Sequence, residues 1–308
     1  MDDEMGIFSI LATPLGYLMK WIYMVLQNYG WTIIAFTFLI RIAMFPLSLK
    51  QQKSTARMAA YQPLIQEIQK KWATDKNRQN QEVQKFYTDN DIKMSAGCAP
   101  MLVNMLVLFG MIAVIQAPLT YILQTPPEQI SNGIYIVEHF RPEQKITENA
   151  YTQQSILIGQ IKEDPQLFID GIELTDDEGL VSHASIEPVE IEKINDFRFR
   201  FMGLDLAQAP SLSNWVTLIM PILSLVTMLG SQLLTMFTSA QQQSKMQMWI
   251  MTIAFGVMFG FFAFRVPSGF SLYYTTSNIV MALQQLILRK IYDPNKIKEE
   301  VLRELEER

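Results

Sequence analysis

The sequence predicts an all-α integral membrane protein with a five-helix transmembrane core, and three observations favour this class. Only 18% of the 308 residues are charged, whereas 49% are hydrophobic; a soluble domain has about 25% charged residues. The apolar residues are concentrated in runs of about 20, the length of helix that crosses a bilayer. The single cysteine, Cys98, excludes an internal disulfide or a cysteine-based metal site.

Five apolar runs are predicted to span the membrane. They are residues 30–49, 98–123, 212–237, 248–264 and 267–288. Residues 1–29 are predicted to form an interfacial helix, because Tyr17, Trp21 and Tyr23 surround Lys20, as is typical of the headgroup boundary. A sixth span remains the alternative. The acidic start from Met1 to Glu4 lacks the basic residues of a signal peptide, so none is expected.

The charges of the polar blocks predict the orientation in a bacterial plasma membrane. Residues 50–97 follow the first span and carry nine basic against five acidic residues by residue 93, so this block is predicted to be cytoplasmic. Residues 124–211 are acidic, with 16 Asp or Glu against 6 Lys or Arg by residue 210, and are predicted to be extracytoplasmic. The loop 238–247 and the tail 289–308 then return to the cytoplasm.

Each polar block has its own predicted structure. Residues 50–97 have apolar residues at helical spacing and a polar break at residues 74–77, which predicts a helical hairpin. This hairpin is either a solvated loop or a docking arm for the ribosome or a targeting factor. The insert 124–211 contains four β-like runs between turn residues, which predict a small β-rich domain. The runs are 134–137, 155–158, 167–169 and 197–201. The tail from Pro294 alternates charges and predicts a solvated helix.

Arg41 is the most informative residue of the predicted spans. It lies 11 residues beyond Gly30 and 9 before Lys50, which at about 1.5 Å per residue is near mid-membrane. Such an arginine costs roughly 2.5–3.5 kcal/mol on insertion scales. None of the five predicted spans contains an Asp or Glu. Either water reaches the guanidinium, or its side chain extends to the cytoplasmic face.

The polarity of the other spans favours a hydrated cavity. Polar side chains can also bind helices to one another, but their number suits a groove better. The candidate groove residues are Arg41, Thr37, Asn104, Ser224, Gln232, Tyr273, Tyr274, Ser277 and Asn278.

The residues of the predicted spans argue against an enzyme with its active site in the membrane. The predicted spans contain no histidine, no pair of aspartates and no zinc-protease motif, so no enzyme activity, cofactor or metal is expected. The net charge of −5 argues against nucleic acid as a direct partner. Ion-coupled transporters usually carry acidic residues in their spans. A groove that receives an amphipathic substrate suits these residues better.

Several short motifs, in this order, resemble the YidC/Oxa/Alb family of membrane protein insertases. The resemblance covers nearly everything outside the insert. The motifs are residues 29–31, 37–41, 45–47, 58–63, 97–102, 203–206 and 267–278, the last reading Pro-Ser-Gly-Phe-Ser-Leu-Tyr-Tyr-Thr-Thr-Ser-Asn.

The resemblance implies a five-helix core with a polar groove that is open to the cytoplasm and to lipid. Arg41 matches the family arginine that draws the hydrophilic end of a nascent protein into the groove. Thr37 matches the threonine before it, and Tyr274 the tyrosine that contacts substrate. This chain departs from the family at Asn104-Met105-Leu106, where the family commonly has Gln-Met-Pro. The insert after the second core span is another departure.

The leading hypothesis is therefore an insertase and chaperone in the lipid bilayer. Its substrates would be nascent membrane proteins, and its further partners the Sec translocon, the ribosome and the signal-recognition-particle receptor. A small-solute channel or transporter using the same cavity is the alternative, and a structural scaffold is a third interpretation.

Overall fold

A computed structural model describes residues 6–90, 99–142, 150–175, 181–211, 213–238 and 245–307. These residues are mostly helical. The α-helices are α1 Gly6–Leu26, α2 Tyr29–Lys71, α3 Lys76–Asp89, α4 Ala99–Gln116, α5 Pro127–Phe140, α6 Ala150–Glu163, α7 Pro165–Asp170, α8 Pro188–Asp196, α9 Ile219–Thr238, α10 Lys245–Ala263, α11 Ser268–Ile291 and α12 Pro294–Glu306.

The described strands form two small antiparallel sheets. Strand β1 (Ile172–Thr175) pairs with β2 (Val181–Ala184), and β3 (Arg200–Phe201) pairs with β4 (Leu204–Asp205). The β3–β4 turn consists of Met202 and Gly203, which have φ angles of 50° and 83°. Two consecutive residues with positive φ are characteristic of the tight hairpin turn whose twist matches that of its strands.

Two helical segments of the described chain are long and apolar enough to cross a membrane, Tyr29–Lys71 and Trp215–Thr235. Three shorter apolar stretches are Ile10–Leu26, Leu102–Gln116 and Thr252–Phe261. The first predicted span, 30–49, is the beginning of α2, which continues as one helix of 43 residues into the block that was predicted to form a hairpin. A turn at residues 72–75 and helix α3 follow.

The second predicted span, 98–123, is interrupted. Helix α4 ends at Gln116, and a separate π-helical turn, Leu119–Leu123, follows Pro118. Proline has no N–H group for the helical ladder and its ring clashes with the preceding turn, which explains the break. Cys98 lies outside the described residues. The third predicted span, 212–237, begins with a 3₁₀ turn, Trp215–Leu218, and α9 starts only at Ile219.

The chain divides into two compact units. Unit 1 comprises Met1–Leu39, Leu106–Thr227 and Val257–Ser277, and it contains the whole insert. Here α1 packs against the π-helical turn and the end of α4: a Cβ added at Gly16 would lie 2.7 Å from the Cβ of Tyr121, and one added at Gly110 would lie 2.6 Å from Leu15. These two glycines therefore permit the close approach of the chain segments.

The prediction of a β-rich insert was wrong for the described residues. Runs 134–137, 155–158 and 167–169 lie in the helices α5, α6 and α7, and only the last run contributes a strand, β3. The buried residues of α5 are Ile130, Gly133, Ile136 and Val137, which repeat at three- and four-residue intervals. A window of four apolar residues is too short to reveal this helical period.

Unit 2 comprises Ile40–Met105, Met228–Gly256 and Asn278–Arg308. A buried apolar cluster of this unit contains Ala56, Ala60, Tyr61 and Ile65 of α2 with Ile297 and Val301 of α12. Side chains of α3, among them Val83 and Phe86, pack against this cluster. The prediction of a solvated tail helix was therefore wrong, because one face of α12 is buried against α2.

Candidate functional site

The nine candidate groove residues are divided between the two units. Unit 1 contains Thr37, Ser224, Tyr273, Tyr274 and Ser277. Unit 2 contains Arg41, Asn104, Gln232 and Asn278. Their grouping into a single groove remains a prediction.

Arg41 and Thr37 lie on the same continuous helix, α2. Arg41 is half-buried and interacts with other groups of the protein. Thr37 is buried, and its hydroxyl donates a hydrogen bond of 2.7 Å to the carbonyl oxygen of Ile33. The threonine hydroxyl is thus satisfied by its own helix, and only its acceptor lone pairs remain for another group.

Helix α11 buries its polar residues. The polar side chains below a tenth exposure are Ser268, Ser271, Tyr273, Thr275, Thr276, Ser277 and Asn278. Tyr274 is half-buried among rings, with its centroid 4.8 Å from those of Phe259 and Phe270. Burial of polar groups costs free energy unless they are hydrogen-bonded. These polar side chains therefore face the interior of the protein, where they require polar partners, and do not face lipid.

Helix α9 satisfies its hydroxyls locally. Ser224 donates to the carbonyl of Pro221 and Ser231 to that of Met228, each at 2.8 Å. Within unit 2, the Thr235 hydroxyl also lies 3.1 Å from Oε1 of Gln285, which joins α9 to α11 by a side-chain hydrogen bond. Thr235 was not among the candidate residues; its spacing of four residues from Ser231 was the available signal.

Seven buried polar side-chain atoms of unit 1 have no hydrogen-bond partner among the described residues, and three of them belong to helices α2, α4 and α11: the hydroxyl of Tyr29, Nε2 of Gln116 and Oγ of Ser271. Buried polar atoms in folded proteins nearly always have a partner, either protein or ordered water. These atoms mark places in unit 1 where water would be bound.

The insert contains a polar cavity that the sequence reasoning missed. Its volume is about 450 Å³, and its lining includes Lys162, Arg198, Arg200, Glu163 and Asp205. The segment 197–201 alternates phenylalanine and arginine, and its three phenylalanines are buried while its two arginines are exposed. The alternation predicted a strand. It also places both arginines on one side of the segment, and this pattern could have indicated a basic site.

Lys162 is the best anchored cation of this cavity. Its Nζ donates a hydrogen bond of 2.8 Å to the carbonyl oxygen of Phe197 and lies 4.8 Å from the centre of the Phe199 ring. Burial lowers the pKa of Lys162, and the charge of Arg200 lowers it further, while Asp205 acts in the opposite direction. The ammonium group is therefore held where an additional negative charge would stabilise it.

These features define an α-helical protein with apolar spanning segments and buried polar side chains. The chain belongs to the 60Kd inner membrane protein family, whose family model matches residues 21–296. The resemblance to the YidC/Oxa/Alb family is thereby confirmed, and the chain is a bacterial membrane protein.

The similar proteins are named membrane protein insertase YidC. The one from Treponema denticola is 27% identical over 286 residues, which cover 92% of this chain and 38% of that protein. The one from Oleidesulfovibrio alaskensis is 39% identical over 106 residues, 34% of this chain and 20% of that protein. The one from Brucella suis is 38% identical over 112 residues, 36% of this chain and 18% of that protein. This chain thus spans about a fifth to two fifths of its curated relatives.

Proposed function

We propose that this protein is a membrane protein insertase and chaperone. It receives the hydrophilic end of a nascent membrane protein in a polar groove around Arg41 and releases the apolar segment into lipid. The groove opens to the cytoplasm, and α11 provides its substrate-contacting side through Tyr273 and Tyr274. The Sec translocon, the ribosome and the signal-recognition-particle receptor are the further partners that this role implies.

The observation that carries the proposal is the guanidinium of Arg41 in the apolar part of α2, a helix whose first half is long and apolar enough to cross the membrane. Two further observations support it: the buried polar face of α11, and the buried polar atoms of Tyr29, Gln116 and Ser271, which have no hydrogen-bond partner among the described residues. The names of the relatives point to the same role.

The energetics require no nucleotide. A substrate segment of about 20 apolar residues is favoured in lipid once it arrives there. The barrier is the passage of its short polar end through the low-dielectric core. A hydrated groove shortens that passage, and a fixed positive charge attracts acidic residues into it, where the interaction is stronger than in bulk water.

The decisive experiment replaces Arg41 by Ala in cells depleted of their own insertase. Insertion of a single-span substrate with two acidic residues in its translocated end is measured by protease protection. We expect insertion to fall by roughly ten-fold, which corresponds to one charge-assisted contact. Arg41→Lys keeps the charge and should restore most of the activity.

Arg265→Ala is the matched control, because Arg265 is an exposed arginine outside the candidate groove whose guanidinium lies over the Phe261 ring. It should insert the substrate at the wild-type rate. Wild-type activity of Arg41→Ala on the acidic substrate would refute the role of the charge. Solute flux through proteoliposomes without any nascent chain would instead favour the channel.

A further inference from the structure

The cavity of about 450 Å³ in the insert has a basic lining, whereas the insert as a whole is acidic. The stretch 124–210 contains 16 acidic and only 6 basic residues. Yet three of those six, Lys162, Arg198 and Arg200, line this one cavity. Such a concentration of cations within an acidic block opposes the general field of the block and indicates a local requirement for positive charge.

The acidic residues of the lining do not cancel these cations. Glu163 is engaged by Arg141, with 3.1 Å between Nη1 and Oε2. Asp205 accepts a hydrogen bond of 3.0 Å from the backbone N–H of Ala207. The charge of Asp205 still acts on Lys162, but three cations face only two carboxylates, and one of these is paired with Arg141. The cavity keeps an excess of positive charge.

The cavity lies next to the end of a membrane-spanning helix. The carbonyl of Arg198 accepts from the N–H of Tyr29 at 3.1 Å, and the carbonyl of Arg200 accepts from Nδ2 of Asn28, also at 3.1 Å. Both arginines are thus tied to the first turn of α2, where the apolar span begins. All these residues belong to unit 1.

Exposed apolar side chains surround this boundary. Trp31 is 53% exposed and its ring lies edge-on to Phe201 at 5.4 Å, while Met202 at the tip of the β3–β4 turn is 81% exposed. Tryptophan is enriched where a span meets the headgroup region. We infer that the hairpin reaches the level of the lipid headgroups, which would bring the adjoining cavity to the level of their phosphates.

We propose that the cavity of Lys162, Arg198 and Arg200 binds the phosphate of an anionic phospholipid from the leaflet at the amino-terminal end of α2. Its volume lies in the range of roughly 300–1,000 Å³ typical of sites for small ligands. Basic pockets at the membrane surface are suited to anionic headgroups. The hydroxyl of Ser155, a buried lining group without a partner among the described residues, is a further donor toward the ligand.

The test compares lipids retained by the purified full chain in native mass spectrometry, after addition of equimolar phosphatidylglycerol and phosphatidylcholine. We expect the wild-type protein to retain one phosphatidylglycerol in preference. Lys162→Gln and Arg200→Gln should each weaken that binding roughly ten-fold, the effect of one charge-assisted hydrogen bond. Arg200 is the safer substitution for the fold, because the Lys162 side chain holds the carbonyl of Phe197.

Lys193→Gln is the matched control. Lys193 belongs to the same insert but lines a neighbouring cavity, which shares Arg198 with the proposed site and is also lined by Tyr23 and Asp196. It should leave lipid retention unchanged; an equal loss would assign the lipid to the neighbouring cavity and overturn the proposal. Retention that is unaffected by Arg200→Gln in a folded protein would also overturn it. Equally tight binding of soluble glycerophosphate would show a site for free phosphate instead of lipid.

Discussion

At the residue scale, the alternating segment Phe197–Phe201 shows how one sequence pattern serves two purposes. Its phenylalanines are 1%, 2% and 6% exposed. Phe197 and Phe199 pack with the ring of Tyr29, and Phe201 packs with that of Trp31. Its arginines remain exposed and reach the cavity of the insert. The extended backbone sends successive side chains to opposite faces, so burial of the rings determines where both cations point.

Gly30 is the residue on which the contact between α2 and the β3–β4 hairpin depends. A Cβ added at Gly30 would lie 2.2 Å from Cγ of Phe201 and 2.6 Å from its Cβ. The Cβ of Phe201 is fixed by the backbone, so a rotamer change of the ring cannot relieve the contact. The hairpin itself would have to move away from the helix.

We predict that Gly30→Ala destabilises the protein by about 2–3 kcal/mol, the upper part of the range for overpacking a well-packed core. Thermal unfolding of the purified protein in detergent measures this as a lower midpoint. Gly230→Ala is the control, because a Cβ there would meet no atom within 4 Å. A glycine-to-alanine change in an open helical position is neutral or slightly stabilising. Equal midpoints for both variants would contradict the steric argument.

At the scale of the element, α12 shows that charge alternation does not by itself make a helix solvated. Val301 is 1% exposed and Ile297 is 7% exposed, and both contact the buried cluster of α2. The Arg57–Glu304 ion pair, at 2.6 Å, adds to this contact, but both side chains are more than a third exposed. Exposed ion pairs contribute about 0.2–1 kcal/mol, so the apolar face is the main attachment of α12.

We predict that Val301→Asp releases α12 from α2, because it places a carboxylate within an apolar cluster. A free helix of 13 residues is marginal in water, so the released segment should melt. Hydrogen exchange of the α12 amides should accelerate at least roughly ten-fold, as expected when a local opening loses more than about 1.4 kcal/mol.

Lys296→Asp introduces the same side chain at an exposed position of α12 and is the control for this experiment. Its exchange pattern should match that of the wild-type protein. Protection of α12 that survives Val301→Asp would mean that the apolar cluster does not hold the helix.

At the scale of the whole molecule, the predicted feature is the topology, which is the side of the bilayer that each polar block faces. The insert lies in unit 1, and the basic block from residue 50 to residue 90, which contains the end of α2 and helix α3, lies in unit 2. The excess of basic residues in this block and of acidic residues in the insert predicts that they face opposite sides of the bilayer.

Cysteine labelling tests this arrangement in a Cys98→Ser background. Val189→Cys lies on the insert, where Val189 is 59% exposed, and Asn77→Cys lies at the exposed start of α3. A membrane-impermeant maleimide should label the first but not the second in intact spheroplasts. Both should react after lysis. Labelling of both in intact spheroplasts would refute the predicted topology.

The sequence by itself determined the class of the protein, its family and the approximate positions of its apolar helices. Composition and hydropathy indicate the free energy of transfer of each segment from water to lipid. This free energy depends on about 20 consecutive residues and can therefore be read from the sequence. The motifs around Arg41 and Tyr274 identified the family for the same reason, since they are read in order along the chain.

Tertiary structure alone decided three matters: the helical insert, the docking of α12 and the cavity around Lys162. Helix α5 packs against α6 and β2, and this packing decides which of its residues are buried. The four consecutive apolar residues 134–137 do not show whether they form a helix or a strand. Val301 and Ala60 belong to one buried cluster although 241 positions of the chain separate them. Such contacts, like the convergence of Lys162 with Arg198 and Arg200, arise from packing between distant segments, which no local pattern encodes.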